Sequence, residues 1–126
     1  MWEPYNPNPC AREVGDCAVR AVSAALGISW EQAFWKLVIA AYWMCDMPSS
    51  NEVIGAVLRK YNFVKKPVQN TLAQNYTFLD FAYDHPEGVY VVGTGDHVSA
   101  VIDGYVTDSW DSLGERPAYY WSREEA

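Results

Sequence analysis

Three side chains in this 126-residue sequence have the types and the order that covalent acyl chemistry needs: Cys17, His97 and Asp108. Gly15-Asp16-Cys17 ends a Pro/Asn-rich opening, and Ala18 to Leu26 reads as a buried helix, so the cysteine falls on a helix N-terminus. Free backbone N–H groups and the positive end of the helix dipole there favour the thiolate, which is the nucleophilic form. The same turn offers backbone donors to a developing oxyanion. Most free cysteines are simply small buried hydrophobes, and Cys17 by itself would be read that way.

The far end of the chain changes the balance. Asp96-His97-Val98-Ser99-Ala100-Val101-Ile102 runs into Asp103-Gly104 and returns as Tyr105-Val106-Thr107-Asp108-Ser109-Trp110. Asp-Gly between two β-rich runs predicts a tight hairpin, since both residues tolerate positive φ. With those two as the loop, Ile102 pairs with Tyr105, Ser99 lies opposite Asp108 and His97 opposite Trp110. His97 and Asp108 are then diagonal neighbours on one face, within reach of each other's side chains. A carboxylate so placed holds an imidazole in one tautomer and orientation. Asp111 falls on the other face and is the weaker candidate.

These segments resemble the papain-like cysteine peptidase superfamily. Gly15-Asp16-Cys17 is similar to that family's nucleophile turn, Asp96-His97-Val98 to its histidine strand, and Asp108-Ser109-Trp110 to its Asn-Ser-Trp segment with aspartate for asparagine. The resemblance covers the two ends of the chain. It implies an α+β, papain-like fold, with N-terminal helices packed on a small C-terminal antiparallel sheet. It further implies a thiol peptidase activity, with Cys17 as nucleophile, His97 as general base, Asp108 as orienting residue and Trp110 shielding the His97–Asp108 contact from water. The family's oxyanion glutamine, about six residues before the cysteine, is replaced here by Ala11, and Asn6 or Asn8 is the substitute donor this reading offers. The short interval between Cys17 and His97 is closer to compact bacteriocin-processing peptidases, and Tyr5-Asn6-Pro7-Asn8-Pro9 resembles small phage and prophage proteins. The same triad serves transglutaminases, deamidases and acyltransferases, and the fold also serves as a catalytically inactive interaction protein that binds a host factor.

Composition narrows the partners. The chain is long enough for one core, residues 1–126 forming one expected domain, and half of its residues are hydrophobic. A formal net charge of −7 argues against binding nucleic-acid phosphates. The local basic cluster, Arg59, Lys60, Lys65 and Lys66, reads as a solvated helix end. The expected partner is a protein or peptide substrate. Met1-Trp2-Glu3 and the prolines that follow do not resemble a signal peptide, and no segment reads as a membrane span, so the expected location is the cytoplasm, or the host cytoplasm for a phage protein. The three cysteines, Cys10, Cys17 and Cys45, are an odd count that argues against a disulfide framework. They lack metal-ligand spacing, so no metal or other cofactor is expected. A Cys10–Cys17 bridge would disable the nucleophile, and Cys45 reads as core.

The elements that must position these residues have readable starts. Ser29 and Gln32 form a capping box before Trp30 to Met44, a segment apolar nearly all round that is expected in the middle of the core. Ser49 and Glu52 repeat the pattern before Val53, Ile54, Val57, Leu58 and Tyr61, which share a helical face. Thr77 and Asp80 start a shorter helix through Tyr83, and the polar turn Asp84 to Gly88 places His85 as an exposed loop residue. Val89 to Val92 reads as a strand, and Tyr119 to Trp121 as an edge strand. Arg20, four residues after Asp16, reads foremost as an i,i+4 ion pair that steadies the helix start and contributes little if exposed. Its alternative role is a cation near the thiolate.

Overall fold

A computed structural model describes residues 1–69 and 75–124. Its four helices and six strands run β1 (Trp2–Pro4), α1 (Cys17–Leu26), α2 (Trp30–Met44), α3 (Asn51–Arg59), β2 (Phe63–Pro67), α4 (Phe78–Asp84), β3 (Val89–Gly93), β4 (Val98–Ile102), β5 (Tyr105–Asp108) and β6 (Tyr119–Arg123). The class is α+β.

Helix starts follow local chemistry. Ser29 caps α2 in a full capping box with Gln32, and Thr77 does the same for α4 with Asp80. The start of α3 is one residue later than expected: Ser50, not Ser49, is the cap, its hydroxyl accepting from the Val53 N–H at 3.2 Å. Gly27 ends α1 at φ 66°, a left-handed conformation that costs glycine little.

The sheet is larger than the sequence predicts, and mixed. Its order is β1-β5-β4-β3-β6-β2, with β1 parallel to β5 and the remaining pairs antiparallel. Three expectations are corrected here. The Pro/Asn-rich opening contributes β1, whose start is held by the Trp2 Nε1 donating to the Asp108 carbonyl at 3.1 Å. Lys65 and Lys66 lie on β2 rather than on a helix end, with Lys65 Nζ 4.4 Å over the Tyr119 ring. Finally β6 is interior, flanked by β3 and β2, because β2 adds to its outer side. The Asp103-Gly104 hairpin forms with both residues at positive φ, and Ile102, Val101 and Ala100 pair with Tyr105, Val106 and Thr107. That is the expected register.

Side-chain alternation along the strands builds a core on each face. Val91, Val98 and Trp121 pack against α1, α2 and α3, while Val92, Val101 and Val106 pack against Phe78, Phe81 and Ala82 of α4. Within α2 only Ala33, Leu37 and Ala41 are buried. The helix lies on the surface of the core, not in its middle, because its inner side needs only small and medium residues to meet α1 and α3.

Candidate active site

Helix α1 begins at Cys17, with Asp16 as its N-cap. A capping carboxylate ordinarily accepts from the first-turn N–H groups. Asp16 makes no such bond; its side chain is held by Arg20 and by Trp30 Nε1 at 2.8 Å. The first turn therefore keeps its N–H groups without a side-chain cap, with Cys17 at the positive end of the dipole.

His97 precedes β4, held by its backbone N–H donating to Thr94 Oγ1 at 3.1 Å. Its Nε2 lies 2.7 Å from Asp108 Oδ2, leaving Nδ1 for Cys17. Trp110 packs over the imidazole with ring centroids 4.8 Å apart, and Phe78 stacks on it at 6.4 Å. The expected contact partner Asp108, rather than Asp111, meets the ring; Asp111 is exposed and accepts from the Leu113 N–H in a turn.

Asp108 is 1% exposed and accepts five hydrogen bonds: Arg20 Nη2 and the Ser109 N–H on Oδ1, and His97, Ser99 and Ser112 on Oδ2. A buried carboxylate so fully bonded has little freedom to turn away from the imidazole. The expected i,i+4 pair of Arg20 with Asp16 forms, but it is buried and has a second partner. Arg20 is 4% exposed, and its guanidinium bridges Asp16 to Asp108. One continuous hydrogen-bonded chain thus runs Trp30, Asp16, Arg20, Asp108, His97, and His97 and Cys17 line the same cleft.

The electrostatics follow from this chain. Burial opposes ionisation of Cys17, but hydrogen bonds with His97 and the Val98 backbone, together with the positive charges of His97 and Arg20, lower the thiol below its ordinary value. Burial likewise opposes the imidazolium, yet Asp108 and then Cys17 raise His97 from 6.5 to about 9. For Asp108, burial is outweighed by the donors His97, Ser99 and Ser112, and the carboxyl falls to about 2. The lowered thiol and the raised imidazole shift the balance toward a thiolate–imidazolium pair.

Cys17 and His97 open onto a cleft of about 730 Å³, lined also by Trp110, Val14, Asn51 and Asp96 among others, with Asp108 buried behind His97. Asn6 and Asn8 do not line it. Their side chains close the opening loop on itself, Asn6 Nδ2 donating to the Arg12 carbonyl and Asn8 Oδ1 accepting from the Cys10 N–H. This corrects the expectation that either serves as an oxyanion donor, because the opening loop keeps both outside the lining of the cleft.

Asn51 and Tyr119 escaped sequence reasoning. The Tyr119 hydroxyl donates to Asn51 Oδ1 at 2.7 Å, and its ring lies across Gly93, where any Cβ would overlap it. Burial raises the Tyr119 phenol, so it stays a neutral donor. With Oδ1 engaged, the Asn51 amide nitrogen makes no hydrogen bond among the described residues and is the polar side-chain donor that α3 brings to the cleft. No local pattern marks either residue, since they lie 68 positions apart.

Two further placements differ from expectation. Cys45 is exposed, because it is the left-handed C-cap residue of α2 at φ 55° rather than part of its inner face. His85 is half-buried: its ring stacks on Phe81 at 3.9 Å and its Nδ1 lies 2.8 Å from the Phe81 carbonyl. All three cysteines are free. Among the described residues no His, Cys, Asp and Glu cluster is arranged to hold a metal, and no helix is long and apolar enough to cross a membrane. Comparisons with protein-family models, curated proteins and solved structures find no match to this chain.

Proposed function

We propose that the chain is a papain-like, cysteine-dependent hydrolase that cleaves an amide or isopeptide bond in a protein or peptide. The observation that carries the reading is the 2.7 Å contact of His97 with buried Asp108, its imidazole shared with a thiol at the start of α1. In the reaction, Cys17 Sγ attacks the carbonyl carbon, and the oxyanion is met by first-turn N–H groups of α1. His97 gives its proton to the leaving amine as the C–N bond breaks, leaving a thioester on Cys17. Water then attacks that thioester; His97 takes its proton, the C–S bond breaks, and the acid leaves. Asp108 keeps the imidazole oriented throughout and does not itself transfer the proton.

Asn51 supplies the second oxyanion donor in this account, in the role for which the opening loop has no residue. Asn51→Ala is expected to lower kcat about 100-fold with little change in KM. Its Cys17 should alkylate at the wild-type rate, because the pair with His97 is untouched. Equal loss of alkylation would place Asn51 in folding rather than in catalysis.

The activity itself is tested with a tryptic peptide library derived from a bacterial proteome, with new N-termini read by mass spectrometry. The wild-type chain is expected to release new N-termini that Cys17→Ala does not. Amide-to-acid conversion or amine incorporation without chain cleavage would assign the site to deamidation or acyl transfer instead. No Cys17-dependent change in any peptide would overturn the enzymatic reading and leave the fold as a binding module.

A further inference from the structure

Helix α2 turns large apolar side chains outward. Trp35, Ile39, Tyr42 and Trp43, spaced i, i+4, i+7 and i+8, form a stripe on its outer side, with Tyr42 and Trp43 about three-quarters exposed. Met44 and Met47 extend the same apolar exposure past the helix end. A stripe of this size on a soluble surface is a cost unless something covers it.

Beside the stripe, α2 and α3 leave a groove of about 400 Å³, lined by Ile39, Trp43, Met44, Val57 and Tyr61 with Lys36 and Lys60. Among the described residues, the charged residues lining it are both lysines and no carboxylate lines it. Lys36 Nζ stands 5.5 Å over the Tyr61 ring, keeping its charge above an apolar floor. This arrangement is local, because the chain as a whole has a formal net charge of −7.

We propose that this groove docks an acidic amphipathic helix of a partner protein. Its apolar anchors, at i, i+3 or i+4 and i+7, would seat between Ile39, Trp43 and Val57, and its carboxylates would pair with Lys36 and Lys60. The concave shape and the two isolated lysines favour a peptide segment over a lipid surface. A flat bilayer surface does not enter a groove of about 400 Å³ between two helices, whereas a helical segment fits it. A second copy of this chain docked through the same groove would bring the same two lysines, and no lining carboxylate, against Lys36 and Lys60. The groove is lined by none of the residues around Cys17, so docking here is independent of the proposed hydrolysis.

The test is selection of a displayed library of helical peptides, randomised on all faces, against the immobilised chain. Enriched peptides are expected to carry Asp or Glu beside apolar residues at helical spacing. Their affinity should fall about tenfold or more in the double variant Lys36→Glu/Lys60→Glu, and about 30-fold in Trp43→Ala. Binding should weaken with added salt and shift the amide NMR signals of Trp43 and Val57. All three substituted residues are outside the inner face of α2 and α3, and circular dichroism checks that the variants fold. Enrichment of basic peptides, no enrichment, or affinity unchanged by Trp43→Ala would overturn the proposal. So would a sedimenting dimer that Trp43→Ala makes monomeric, or capture of the chain by phosphatidylserine vesicles through the same residue.

Discussion

Cys17→Ser is expected to lower turnover by about four orders of magnitude while leaving the fold intact. Serine nearly matches cysteine in volume, and the residue is only partly buried at the first position of α1, so packing changes little. The nucleophile changes greatly. A hydroxyl is not ionised by the forces that lower the Cys17 thiol, because its intrinsic acidity is far weaker, and His97 would have to remove its proton during attack. Turnover of a peptide cleaved by the wild type, followed beside thermal unfolding of both proteins, checks this. Retained activity in Cys17→Ser with an unchanged melting temperature would remove the covalent mechanism.

Arg20→Met should have the largest effect on stability. Methionine fills much of the same volume but leaves Asp16 and Asp108, both buried, without the guanidinium that bridges them. Breaking a buried ion pair by removing one partner costs about 3–5 kcal/mol, because the remaining charge has lost water without compensation. In a domain of this size that lowers Tm by about 10 °C or more. Asp108 keeps His97, Ser99 and Ser112, so residual Cys17 reactivity is expected below the new transition. A Tm within about 2 °C of wild type would mean that the Asp16–Arg20–Asp108 bridge contributes little, as an i,i+4 pair does when exposed.

What could be read in advance was local. Asp103-Gly104 encodes its own turn, and that turn sets the register that puts His97 and Asp108 on one face. Capping boxes at Ser29 and Thr77 are likewise written within four residues. Features that join distant segments were not legible. Arg20 and Asp108 are 88 residues apart, and nothing near Arg20 shows that its second carboxylate partner is Asp108. The interior position of β6 depends on Phe63–Pro67 pairing outside it, a run whose two lysines point away from a strand assignment. For α2, apolar residues on every side hide which side is buried, and the small residues Ala33 and Ala41 decide it. The oxyanion reading failed for a related reason: Asn6 and Asn8 are near Cys17 in sequence, whereas Asn51 reaches the cleft through the packing of α3.

The central claim is that Cys17 is an activated thiolate paired with His97, and its most direct test is the pH dependence of alkylation at each cysteine. Iodoacetamide labelling, read by peptide mass spectrometry, resolves Cys17 from exposed Cys10 and Cys45. Because the Cys17 thiol is lowered, its thiolate persists to lower pH, and labelling at Cys17 should outlast that at the other two cysteines as pH falls. Because His97 is raised to about 9, the imidazolium partner survives through neutral pH and is lost as pH rises through that value, where the Cys17 rate should change a second time. His97→Ala should abolish the low-pH reactivity and move Cys17 to an ordinary thiol profile. A Cys17 profile that matches Cys10 and Cys45 at every pH, and does not respond to His97→Ala, would contradict the account.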